Sequence, residues 1–162
     1  GSGGAILPVG SFSDNSNWAV ITRDAKFDKQ KQYMMSFIES VKPNKLTIFG
    51  LSHKKDVSMF SAFSPGFVEP SKFFLTANCY FHAGGYSEGF PHSLAYAICS
   101  DCQIALDKRQ WIEFGLFKFM LSYEIKGKFL LFRPTDDLKN KVSSDNVIID
   151  YIDEINHRCR DF

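Results

Sequence analysis

The chain has 162 residues, of which 44% are hydrophobic and 23% charged, with 19 Lys+Arg against 18 Asp+Glu. It is too apolar and too near neutral for intrinsic disorder, and too short for two full-sized domains. A net charge of +1 gives no bulk electrostatic case for nucleic acid or an acidic membrane, and 4 Cys fall far short of a disulfide scaffold.

Gly1-Ser2-Gly3-Gly4 reads as a cloning scar and stands outside the fold. Residues 5–16 carry Gly, Pro, Ser, Asp and Asn and read as an irregular lead-in, so the domain is expected over 17–162. Trp18–Thr22 is a short apolar run, the first expected strand. Asp24 or Asp28 can cap a helix, because a short carboxylate accepts from the free N–H groups of a first turn. Tyr33, Met34, Phe37, Ile38 and Val41 then form one stripe of a 3.6-residue period, and Pro43 ends it. Leu46–Leu51 is a second apolar strand. A short strand is expected near 57–63, with a loop after it at Pro65, Gly66 and Pro70.

Residues 72–82 alternate: Phe73, Leu75, Ala77, Cys79 and Phe81 share one face, and Thr76, Asn78, Tyr80 and His82 the other. That pattern predicts a strand, with a flexible glycine-rich connection over 83–91. Leu94–Cys99 and Gln103–Leu106 read as further strands. Trp111–Ile125 alternates again, and Lys126-Gly127-Lys128 supplies a hairpin turn into Phe129–Phe132. Ser143, Ser144 or Asp145 can cap a last helix striped by Val147, Ile148, Tyr151, Ile152 and Ile155.

Two one-faced helices at the ends, with sequential strands between them, predict a single α+β domain. It would be a largely antiparallel sheet of about six or seven strands with both helices packed on it. Sustained strand–helix alternation is not legible, so a doubly wound parallel sheet is not expected.

From Phe73 to Leu106 only Glu88 and Asp101 carry a full charge. Strands buried on both faces explain this. So does a binding face, since interfaces deplete charge at their core and favour aromatic residues and Met. On the second reading Thr76, Asn78, Tyr80, Tyr86 and Phe90 are the binding residues.

Cys79 and His82 form C-x2-H, and Cys99 and Cys102 form C-x2-C. Two such pairs can close a tetrahedron around a structural zinc ion. A regular strand would send Cys79 and His82 to opposite faces, so the site needs a bend there. Plain buried thiols account for the same residues. A nucleobase deaminase would need H-x-E before its cysteine pair, and here His82-Ala83-Gly84 lacks the proton-carrying Glu. A thiol nucleophile, Cys99 or Cys102, with His82 or His92 as base and Asp101 orienting, remains as an enzyme alternative.

The expected function is therefore a non-enzymatic interaction or assembly domain, with an aromatic, weakly charged sheet face meeting a protein partner or a second copy. A Cys/His enzyme is the alternative. A weak nucleic-acid module on Lys108, Arg109, Lys126, Lys128 and Arg133 is the third reading. No run of about 18 apolar residues predicts a membrane span. Few cysteines fit an intracellular setting, cytoplasmic or nuclear. Lys outnumbers Arg and Phe is common, which fits an A+T-rich gene of the kind many viruses carry.

Overall fold

The computed structural model describes residues 5–6, 16–52, 56–69, 72, 74, 77–84 and 90–144. The scar 1–4, most of the lead-in, Thr76, Tyr86, Cys159 and the expected last helix lie outside those residues.

Trp18 and Val20 point to one side of the first long strand and Ala19 to the other, and all of them are buried. A strand with two buried faces needs a covering layer on each. Helix α1 (Asp24–Val41) covers one face of β2 (Asn17–Ile21) with Phe27, Met34 and Phe37. It ends as the sequence predicts: Lys42 takes a left-handed conformation at φ 54, its N–H donates to the Ile38 carbonyl, and Pro43 follows. Phe37 is the centre of this layer. It stacks on Phe81 at 4.2 Å between ring centroids and meets Trp18 and Phe129 edge-on at 5.0 and 5.8 Å.

The sheet has eight strands in the order β1-β7-β8-β6-β5-β2-β3-β4. The remaining strands are β1 (Ala5–Ile6), β3 (Lys45–Phe49), β4 (Phe63–Gly66), β5 (Cys79–Phe81), β6 (Gln103–Asp107), β7 (Ser122–Lys126) and β8 (Phe129–Phe132). Strands β4, β3, β2, β5 and β6 run parallel to one another, while β8 is antiparallel to β6 and β7. The single α+β domain is as expected, but its sheet is mixed rather than largely antiparallel.

The reason lies in one segment. Residues 92–99 are not a strand but helix α2 (His92–Cys99), with Leu94, Ala95, Tyr96, Ala97 and Ile98 all buried. A helix that is apolar all round has no stripe, so its pattern cannot be told from a buried strand. With α2 between them, β5 and β6 become a crossover pair and must be parallel. The same correction applies to 111–125. Asp107 and Gln110 form a capping box that starts helix α3 (Lys108–Glu113), a 3-10 turn follows at Leu116–Phe119, and only Ser122–Lys126 is strand. Among the described residues of 72–82, Cys79–Phe81 is strand, and near 57–63 a 3-10 turn at Ser58–Phe60 precedes β4. The hairpin joining β7 to β8 forms as predicted, with Lys126 opposite Phe129.

Helices α2 and α4 (Asp136–Ser144) cover the second face through Leu94, Ala95, Ile98, Leu138 and Val142. The charge-poor run 73–106 follows from this, since β5, α2 and β6 are interior elements. Among the described residues no helix is long and apolar enough to cross a membrane.

Phe37→Ala removes the shared ring of this cluster and should destabilise the domain by about 3–5 kcal/mol. Urea unfolding followed by Trp18 fluorescence measures it, and a loss below about 1 kcal/mol would contradict the central place given to Phe37.

Candidate functional site

Strand order reverses between β2 and β5. From β2 the chain leaves to α1 on one face, and from β5 it leaves to α2 on the other. Chain segments that part in this way leave a crevice at the carboxyl ends of the strands, where open parallel sheets bind ligands.

On the β2 side, the Thr22 N–H donates to the Phe49 carbonyl at 3.0 Å and the Thr22 hydroxyl donates to Gln30 Oε1. Asp24 Oδ1 accepts the Ser52 N–H at 3.0 Å, tying the start of α1 to the end of β3. Gly50, at φ 93, lies so close that a Cβ there would overlap the Thr22 carbonyl oxygen.

On the β5 side stands His82, 6% exposed. Its Nδ1 lies 2.8 Å from the Tyr80 hydroxyl, and that hydroxyl donates to Ser93 Oγ at 3.0 Å. Which of Tyr80 and His82 donates in the bond between them depends on the imidazole tautomer. Nε2 is buried and among the described residues has no hydrogen-bond partner. A Cβ on Gly84 would stand 2.8 Å from it, so only glycine leaves this edge of the ring uncovered. Gln110 holds Gly84 in place: its Nε2 donates to the Gly84 carbonyl at 2.6 Å while its Oε1 accepts the Asp107 N–H at 3.2 Å. Burial pushes the His82 pKa down to about 4, and the Lys26 charge adds to the effect, so the imidazole is neutral at pH 7.

A cleft of about 240 Å³ opens beside this region, walled by Phe90, Phe114, Phe119 and Val142. Phe114 joins the two features, since its ring lies 6.4 Å from that of His82 and 5.3 Å from that of Phe90.

The residues expected from sequence fall in different places. Tyr80 is 0% exposed and presents nothing to a partner. Asn78 is exposed, and its Oδ1 accepts the Asn17 N–H at 2.8 Å, stitching β5 to β2 at their amino ends. Phe90 is half-buried in the cleft wall. Cys79 packs on the α1 face and Cys102 on the α2 face, while Cys99 ends α2. Among the described residues no three His, Cys, Asp or Glu side chains gather where they could hold a metal ion. The zinc set Cys79, His82, Cys99 and Cys102 rests on spacing alone, and the sheet lies between Cys79 and Cys102.

Burial raises all three described thiols, Cys79 to about 11 against a hydrogen bond from Ser16, with Cys99 and Cys102 also above the ordinary range. An activated nucleophile needs the opposite shift. Sequence reasoning missed Ser93, Gly84 and Gln110. Only Gln110 had a signal, the Asp107-x-x-Gln110 spacing of a capping box.

No family model, curated protein or solved structure matches this chain.

His82 makes stability depend on pH. Its folded pKa lies below the unfolded value, so the unfolded chain binds the proton first and stability falls as pH drops from about 6.5 toward 4. The loss should be on the order of 3 kcal/mol and level off below pH 4. His82→Asn, which keeps a hydrogen-bonding group toward Tyr80 and cannot charge, should flatten that part of the curve. An unchanged slope in denaturant titrations across this range would assign the effect to other groups.

Proposed function

We propose that this domain assembles with a second copy of itself through the outermost parallel strand, β4, and its approach. The observation that supports this reading is a charge-free, aromatic surface at the sheet edge. Met59, Phe63 and Phe67 are 61%, 68% and 83% exposed. From Val57 to Val68 the sequence has no charged residue, and Asp56 and Glu69 flank it. Aromatic and Met side chains without charge are the composition of an interface core.

The face foreseen from sequence was the central sheet, but that face is covered by helices, and the aromatic surface lies at the edge instead. Pro65 within β4, and the register shift between Thr47 and Phe49 opposite it, interrupt the ladder that an added strand would extend. Side-chain packing, rather than sheet extension, is then the mode of contact. A patch without charge meets its own copy with no like-charge cost, and offers a partner selected by charge nothing to read. Free thiols fit assembly in a reducing, intracellular setting.

A second reading is proton transfer at the carboxyl edge. Its support is the neutral imidazole of His82, whose buried Nε2 has no partner among the described residues, at the point where strand order reverses. It narrows the Cys/His enzyme alternative to the imidazole alone.

Light scattering after gel filtration tests the first reading. The wild-type chain should run as a dimer at micromolar concentration. Phe63→Glu/Phe67→Glu should run as a monomer with a Tm within a few degrees of wild type, because neither ring is buried in the monomer. A monomeric wild type, or a dimeric double variant, would remove β4 as the assembly surface.

A further inference from the structure

We propose that the cleft between the 3-10 turn Leu116–Phe119 and helix α4 binds a small aromatic monocarboxylate. Its position and chemistry are separate from the β4 surface, so the proposal goes beyond the assembly reading.

The interior is apolar. Phe90, Phe114, Phe119 and Val142 supply most of it. Val142 is buried in the core beneath, so the floor is fixed by the packing of α4 on α2 rather than by mobile side chains. The Phe90 and Phe114 rings stand 5.3 Å apart, tilted at 54°, and both line the cleft. An aromatic body finds edge-to-face or offset contacts against such a wall, at centroid spacings of about 4.5–7 Å. An apolar hollow of this kind gains little from water, which needs polar partners to stay.

Among the described residues the charged side chains that line the cleft are Lys118 and Lys141, and both are exposed. An apolar interior under two ammonium groups complements a ligand with an apolar body and an anionic head. Both lysines are exposed while Phe90, Phe114 and Phe119 are half-buried, so a head group beside the lysines stays solvated while the body is buried. No carboxylate has to be taken out of water, which would cost more than the contact returns.

Size sets the class further. At about 240 Å³ the cleft falls below the roughly 300–1,000 Å³ of drug-sized sites. It admits one aromatic ring with a short acid side chain, and excludes a dinucleotide or a peptide helix.

The test uses the whole chain and three probes of nearly equal shape: phenylacetate, phenylethanol and phenylethylamine, titrated separately while amide and aromatic NMR signals are followed. Phenylacetate should shift Phe90, Phe114 and Phe119 with a millimolar Kd. The alcohol should bind about fivefold more weakly, the scale of an exposed charge contact, and the amine more weakly again. Lys118→Glu/Lys141→Glu alters only exposed positions and should invert the order of acid and amine. Four outcomes overturn the proposal. The acid and amine bind alike, or no probe shifts these rings at millimolar concentration, or the order survives the charge reversal. Shifts of the same rings on dilution without any probe also overturn it, because a second copy then occupies the cleft.

Discussion

Two-sided burial of the central strands is the constraint from which the remaining architecture follows. Tyr80 packs on one face of β5 while Cys79 and Phe81 pack on the other, and Ile104 and Ala105 divide β6 in the same way. Neither face can be left to water, so helices must lie on both. A chain that alternates strand and covering helix returns to the sheet in the same direction, which makes β2, β3, β5 and β6 parallel. The Phe37 cluster closes one layer, and α2 with α4 closes the other.

The same constraint creates the crevice. Because α1 and α2 lie on opposite faces, the connections leaving β2 and β5 must diverge, and the groups at the two strand ends lose neighbours they would otherwise have. Gly50 and Gly84 let the backbone approach closely on either side, and Ser93, Tyr80 and Gln110 hold the β5 end in one arrangement. Among the described residues His82 Nε2 stands unpartnered because its ring is anchored through Nδ1 alone. At the far edge the constraint relaxes. Strand β4 has a neighbour on one side only, and there Phe63 and Phe67 turn outward without the charges that most edges carry.

Much of the fold was legible where the signal was local. The first helix, the β2 and β3 runs, and the turn at Lys126-Gly127-Lys128 each follow from a period or a turn preference that tertiary contacts did not override. The illegible parts share a cause. Residues 94–98 are uniformly apolar because they are buried on every side, and uniform apolarity carries no period. Phe117, Phe119, Leu121, Tyr123 and Ile125 alternate by chance across a 3-10 turn and a strand. Of the candidate site, His82 and Phe90 were visible as residues, but the partners that give them meaning were not, since Ser93 and Gln110 reach them only through the fold.

The 17 Phe and the near-neutral charge determined that this chain could close a core as one domain, because such a composition can bury enough surface to offset chain entropy, and the periods along the chain made that domain α+β. They could not say which aromatic residues would be inside. Tyr80, read as a presented residue, is enclosed, while Phe63 and Phe67, in a segment read as short strand and loop, are on the surface. Strand direction made that decision. Whether a strand pairs with its predecessor or across a helix is settled by long-range packing, and a single chain of residue types does not carry that information. The cysteine and histidine spacings met the same limit: spacing does not say which face a side chain takes, and Cys79 and Cys102 pack on opposite faces.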